Sequence, residues 1–545
     1  MSRSSPGTST LESNNTRKEH TLKPALKSTL VLVLLAVCGA VAWAAGANPV
    51  VGVTGGQIAG RLIPPGGAAF KGIPYAQPPL GTLRWHDPVR VSPWKGVRDA
   101  GSFGASCTQQ ISTWNSQEAQ GNQEDCLYLN VWTSEWPAKS PKPVMLWLHG
   151  GGNTGGAASV DYFDGTSLSR RGVVLVTINY RLGLFGFFAH PGLTAESPHH
   201  SSGNYGLLDQ IAALQWVDAN IAKFGGDAKN VTVFGQSAGA VDTGYLLASP
   251  LSKGLVHRAI QESGPPIRGA APLAQAEQLG SNFAAAMKAP AGGIDAVKFL
   301  RSLPAAELQK AAVAARGESG PPMGPLLDGH VLPASAALIF ATGHQLPVPL
   351  IIGNNAREQG GPNSQEALKK AIAGNFGADA SKAEEFYGVA NGGNGKDDPL
   401  YGPAAIQFSA DTRYRCGAVA EAIWHSDRKL PVYEYQFDPA IAGRPATQHS
   451  AELPFVFGNL LPGGFLGGPF GEAHRKISND IQEYWTNFAK NGDPNGGSLP
   501  AWPKFDAAAR AYLEFTDNGP VAKEGLRRAI CDLYIDALKQ DLASR

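Results

Sequence analysis

The pentapeptide Gly235-Gln236-Ser237-Ala238-Gly239 directly follows the apolar run Val231-Thr232-Val233-Phe234 and precedes a stretch of helical character. A strand that turns into a helix around a single serine constrains this chain more than any other feature. The flanking glycines permit a strained turn and a close approach of neighbouring backbone, leaving the Ser237 hydroxyl exposed at the C-terminal end of the strand. The helix that follows turns its N-terminus toward developing negative charge. In a chain with 66 glycines the motif also arises by chance, as a tight turn around a solvated serine. The strand before it and the helix after it give it meaning.

The surrounding chain has the pattern such a turn requires. Residues 144–148 (VMLWL) and 173–179 (VVLVTIN) are short apolar runs rich in β-formers, of the kind buried on both faces of a sheet. Residues 205–224 carry Leu208, Ile211, Ala212, Ile221 and Phe224 on one helical face with Trp216 beside it. Strand, helix, strand predicts an α/β fold with a mostly parallel central sheet and right-handed crossovers. Residues 348–353 predict a further strand. Residues 270–320 and 360–430 predict Ala-rich helices that cap one edge of the sheet, and residues 525–542 an amphipathic final helix. The 40 prolines and 66 glycines exclude a coiled coil or helical solenoid, and 43% hydrophobic residues supply a large core.

A second glycine cluster, His149-Gly150-Gly151-Gly152, follows the run at 144–148. Acyl transfer generates an oxyanion, and glycine backbone lets amide groups crowd around it. Gly151, Gly152 and Ala238 are the candidate donors; the alternative is a flexible loop without a ligand. A serine nucleophile also needs a base and an orienting carboxylate. In the chain order of such hydrolases both follow the serine, leaving His257, His330, His344, His425, His449 and His474 as bases. His449 lies in a proline-bounded loop, whereas His257 and His425 fall in helical patterns. Glu358, just after the strand at 348–353, is placed to reach the site; Asp328 and Asp242 are its rivals.

Residues 1–28 are polar and basic, residues 29–41 apolar, and Ala42-Trp43-Ala44 offers small residues for cleavage. The spacing predicts a signal peptide over residues 1–44, removed after Ala44, because the apolar run is shorter than the roughly 18–20 residues of a spanning helix. An uncleaved anchor is the alternative, and Val37 disfavours lipidation of Cys38. No later segment is long and apolar enough to span a membrane. Cleavage leaves Cys107, Cys126, Cys416 and Cys531, an even count suited to two disulfides in an exported chain. Four cysteines allow three pairings. Cys107 and Cys126 enclose a short polar segment, so a local loop is the economical choice and leaves Cys416 with Cys531; free buried thiols are the alternative. Residues 1–44 hold five positive and two negative charges, so their loss turns the net charge from +1 to −2. That balance gives no footprint for nucleic acid.

Taken together these residues resemble a family, the type-B carboxylesterases, which includes cholinesterases, para-nitrobenzyl esterases and some fungal lipases. The resemblance begins at Phe70-Lys71-Gly72-Ile73-Pro74-Tyr75-Ala76 and runs through Glu124-Asp125-Cys126-Leu127-Tyr128-Leu129-Asn130-Val131, the HGGG cluster, NYRLGLFGF, GNYGLLDQ and the serine turn. It implies a single α/β-hydrolase domain over residues 45–545, although about 150 residues per domain would suggest three or four. It implies Ser237 as nucleophile, Glu358 as triad acid and His449, in His-x-x-Glu-Leu-Pro-Phe-Val-Phe, as base. Gly151, Gly152 and Ala238 match the oxyanion donors, and the two disulfides match family pairings. The implied activity is hydrolysis of a small-molecule carboxylic ester through an acyl-enzyme, with no cofactor or metal; no H-E-x-x-H or C-x-x-C occurs. The fold also serves non-catalytic binding proteins, and lipases or amidases can share the triad. Three positions depart from the family pattern: Gln236 replaces a glutamate, Gln359 is inserted after the acid, and Asp242 replaces a serine. Asp242 is expected to hydrogen-bond near His449 or Glu358.

Overall fold

Along residues 144–148 Val144, Leu146 and Leu148 join one buried cluster while Met145 and Trp147 join another. A strand whose alternate side chains are both apolar must lie between two layers. The computed structural model, which describes residues 48–545 apart from 268, 316, 318, 319, 442–446, 464 and 545, has this arrangement. The leader predicted over residues 1–44 lies outside the described residues.

The main sheet has 11 strands. In chain order they are β1 (Arg61–Ile63), β2 (Gly67–Pro74), β3 (Tyr128–Thr133), β4 (Lys142–Leu148), β5 (Val174–Ile178), β6 (Gly226–Gln236), β7 (Arg258–Glu262), β8 (Leu350–Asn355), β9 (Val432–Phe437), β10 (Ala511–Thr516) and β11 (Gly519–Glu524). Their spatial order is β11-β10-β9-β8-β7-β6-β4-β5-β3-β2-β1. From β5 across to β10 every neighbour is parallel, and both margins are antiparallel. The strand seen at 231–234 extends back to Gly226, where its start pairs with Lys142 of β4.

Helices cover both faces. One face carries α1 (Tyr205–Asn220), α2 (Ala238–Ala248), α3 (Cys416–Asp427) and, at the end of the chain, α5 (Arg528–Ser544), which contribute Leu214, Leu246, Val419 and Ile530 to its core. The other carries α4 (Glu472–Asn491), which contributes Ile481, Tyr484, Trp485 and Phe488. The helical pattern at 205–224 resolves into α1 and a 3-10 turn over Ile221–Phe224, stopped by Gly225 at φ 81°. Further helices over Leu273–Ala286, Gly293–Ser302, Ala305–Ala314, Gln365–Phe376, Ala380–Tyr387 and Ala404–Ala410 lie in the two Ala-rich regions. Cys107–Cys126 closes a local loop, and Cys416–Cys531 ties α3 to α5 across 115 residues. Both bridges suit an oxidising compartment. Among the described residues no helix is long and apolar enough to cross a membrane. Residues 48–545 form one compact unit.

Candidate active site

The parallel strands deliver their C-terminal ends to one side of the sheet, where loops can converge. At the end of β6, Ser237 adopts φ 55° and ψ −122°, a conformation costly for any residue with a side chain. The turn is held by a bond from the Ser237 amide to the Glu262 carbonyl at 2.8 Å. Its tightness explains Gly239, where a Cβ would lie 2.0 Å from the Leu148 carbonyl oxygen. Ser237 is also the N-cap of α2 and its side chain makes no capping bond, so the hydroxyl is not spent on the helix. First-turn amides of a helix have no partner within it, which leaves the Ala238 N–H available to a ligand.

The loop after β4 approaches from the neighbouring strand. Gly151 sits at φ 114°, and a Cβ there would meet the Gly155 carbonyl oxygen at 2.1 Å, so only glycine closes this loop. The His149 ring stacks on Tyr180 at 4.5 Å, and burial pushes it down to about 4, keeping it neutral. Gly151, Gly152, Ser237, Ala238, Glu358 and His449 all line one cavity of about 1150 Å³. A second chamber of about 590 Å³, walled by Tyr162, Phe163, Leu453, Leu461 and Leu466, shares Trp114, Gly151, Gln236, Ser450 and Phe465 with the first.

Glu358 and His449 meet across that cavity. His449 Nδ1 lies 2.6 Å from Glu358 Oε2, while Glu358 Oε1 accepts from Ser263 Oγ and from the Asn355 amide, each at 2.8 Å. Burial alone would lower the His449 pKa, but the charge and hydrogen bond of Glu358, with the Glu452 charge behind it, leave it raised above 6.5. A carboxylate that accepts at Nδ1 fixes the tautomer with its lone pair on Nε2. That nitrogen lies 3.3 Å from the Gln236 side-chain nitrogen, which donates to it. Asn355 joins the acid and base loops by donating to the Gln448 carbonyl at 2.7 Å and to Glu452 Oε2 at 2.6 Å. Burial first, then the charge of Glu358, pushes Glu452 up to about 7.

The rival residues are occupied elsewhere. His425 is buried against the Val348 carbonyl, His330 stacks on His199, His474 caps α4, His257 accepts from the Val231 amide, and His344 contacts Thr342. Asp328 closes a turn by accepting the amides of His330, Val331 and Leu332. Asp242 corrects the sequence-based expectation. Its carboxylate reaches neither His449 nor Glu358 but accepts from Asn153 Nδ2 at 2.9 Å and Gln210 Nε2 at 2.6 Å. The helical period puts residue 242 on the face of α2 that turns toward α1, away from the histidine loop. The insertion of Gln359 leaves the contact between Glu358 and His449 intact. Sequence reasoning missed Ser263 and Asn355: Asn355 ends β8 three residues before Glu358, whereas Ser263, just after β7, reaches Glu358 from 95 residues away and carries no signal in the sequence. Among the described residues no group of three or more His, Cys, Asp or Glu side chains could hold a metal ion.

The carboxylesterase family model matches residues 47–534. Fumonisin B1 esterase of Sphingopyxis macrogoltabida is 37% identical over 455 residues, covering 80% of this chain and 81% of that protein. Carboxylesterase 1D of Rattus norvegicus is 35% identical over 535 residues, 88% of this chain and 91% of its own. Cocaine esterase of Homo sapiens is 34% identical over 545 residues, 91% and 92% respectively.

Proposed function

The chain belongs to the carboxylesterase family and hydrolyses carboxylic esters, and from that premise we propose that Ser237, His449 and Glu358 carry the reaction through an acyl-enzyme. The observation that supports this reading is the 2.6 Å contact of His449 Nδ1 with Glu358 in the cavity that Ser237 lines. His449 Nε2, released from Gln236, takes the Ser237 proton as Oγ attacks the ester carbonyl carbon. The resulting oxyanion is held by the amides of Gly151, Gly152 and Ala238. As the tetrahedral intermediate collapses, the C–O bond to the alcohol breaks and His449 gives that oxygen its proton. Water enters, His449 accepts its proton, and the hydroxide attacks the acyl carbon. Collapse returns the proton to Ser237 Oγ and releases the acid. Glu358 stabilises the imidazolium that forms twice per cycle.

The test is rapid-mixing release of p-nitrophenol from short-chain esters. Wild type should give a burst stoichiometric with protein, and an organophosphate should abolish it. Ser237→Ala should lose the burst and lower kcat by on the order of 10⁶-fold. A full burst from Ser237→Ala would overturn the assignment. Fumonisin B1, the ester named for one relative, belongs in the substrate panel.

We also propose export, with residues 1–44 removed and residues 45–545 as the mature single-domain enzyme, secreted or periplasmic. The two disulfides and the apolar run ending before Ala44 support it. Intact mass of protein recovered outside the cytoplasm should correspond to an N-terminus at Ala45; an unprocessed chain held in the membrane fraction would contradict it.

A further inference from the structure

A fully buried carboxylate in α2 has a place in this enzyme that the triad does not give it. Asp242 has no exposed surface, and no cation among the described residues pairs with it; both of its oxygens are taken by amide N–H groups. A carboxyl buried in this way costs free energy that its hydrogen-bond partners must offset. One partner is Asn153, next in the chain after Gly152, at φ 56° and with its carbonyl accepting the Gly183 amide at 2.6 Å. The other is Gln210, from the body of α1. The bonds of Asp242 therefore join the glycine loop after β4 to the helix whose first residue is Ala238. These are the two backbone segments whose amides must converge on one oxygen atom. The opposite ends of both amide side chains, Asn153 Oδ1 and Gln210 Oε1, are buried without a partner. Those two orphans show that each amide is turned by the carboxylate rather than by the packing around it.

We propose that Asp242 is a positioning residue of the oxyanion hole, clamping Asn153 so that the loop carrying Gly151 and Gly152 stays in register with the Ala238 amide. The proposal rests on the Ser237 esterase reading. An oxyanion hole contributes to the transition state and little to the bound ester, so a slack clamp lowers kcat while KM stays in place. Serine at position 242 is too short to reach both amides. Asparagine keeps one acceptor for Asn153, and Gln210 can rotate its orphan oxygen to meet the new NH₂ group.

The experiment compares wild type, Asp242→Ser, Asp242→Asn, Asn153→Ala and the double variant D242S/N153A, with rates expressed per serine titrated by organophosphate. One removed oxyanion donor costs about 10²- to 10³-fold, so a displaced loop should cost D242S and N153A about 10- to 100-fold in kcat with KM within about threefold. Affinity for a trifluoromethyl ketone, which forms an oxyanion on the serine, should weaken in step with kcat/KM. D242N should retain most of kcat, and the double variant should be no slower than the slower single one, because each change breaks the same clamp. The proposal is overturned if D242S and N153A keep wild-type kcat and ketone affinity, if their losses multiply in the double variant, or if the whole loss disappears after correction for titratable serine. Ser237→Ala separates the two levels: an inactive S237A beside an unaffected D242S removes the clamp alone, whereas an active S237A removes the parent reading and the clamp with it.

Discussion

At the scale of single residues the site depends on which proton sits where. In the resting enzyme the Nε2 lone pair of His449 is engaged by the Gln236 amide rather than left open. In the proposed mechanism, release of that contact precedes attack by Ser237. Gln236 is neutral, so the field on the imidazole comes from Glu358 and Glu452, opposed by Arg413. Restoring a carboxylate with Gln236→Glu would place a negative charge about where the amide now donates, favouring the imidazolium. Because the base works only when neutral, the acidic limb of kcat/KM should move to higher pH, by roughly one to three units for an adjacent opposite charge. A pH–rate profile checks this, and a limb that stays put or moves to lower pH would show that residue 236 does not sense the base.

At the scale of elements, the loop carrying the acid is braced from beneath. Arg415, fully buried, donates to the Ala356 carbonyl at 2.8 Å and pairs with Asp411 one turn away, while Arg527 at the start of the last helical segment reaches Asp411 at 2.7 Å. This brace spans a five-residue π-turn over Asp411–Arg415 that joins Ala404–Ala410 to α3, where an extra residue in the turn re-aims the side chains that follow. Asp411→Ala would strand Arg415 as a buried charge and should cost about 3–5 kcal/mol of stability, measured by urea unfolding. A loss under 1 kcal/mol, of the size expected for an exposed pair, would mean that the brace carries no load.

The brace also shows where sequence reading stops. Strands β4, β5, β6 and β8 were legible because each contains a short apolar run rich in β-formers with a turn at its end, the pattern of a strand buried on both faces. The serine turn was legible because backbone geometry demands glycine at Gly239. Asp411, Arg415 and Arg527 were not, since a charged residue in a helical pattern reads as a solvated face until a long-range partner is known. Asp242 failed for the same reason in a sharper form: its proximity to Ser237 in the chain suggested the histidine side, whereas its partner Asn153 lies 89 residues away.

The whole molecule carries an unusual load of buried acids. Burial pushes Asp242 and Glu452 up to about 7, and Glu421 and Glu434 up to about 8. Each binds a proton in the folded chain at pH values where the unfolded chain has already released it. Stability therefore falls as pH rises through the span between the ordinary carboxyl value and the raised one. The buried histidines His149 and His425, pushed down to about 4 by burial, work in the opposite sense, but only below their ordinary value of about 6.5. Above pH 6.5 the carboxyls dominate, and the raised His449 acts in the same direction. Melting temperature should decline from pH 6.5 to 8.5, and Glu421→Gln, which keeps a partner for Gln261, should flatten that decline. A melting temperature that rises across this range would refute the sign.

The parallel core of the sheet sets Ser237 after β6, Glu358 after β8 and His449 after β9, whereas Trp114 and Phe465, which stand between the two chambers, hang on loops outside it. On the proposed assignment, reactivity and chamber shape therefore sit on separate parts of the chain and can drift at different speeds. An evolving lineage can exchange one ester for another by altering chamber walls while every descendant inherits the same reaction. A directed-evolution library confined to those loops would draw on that freedom, trading substrates at little risk to turnover.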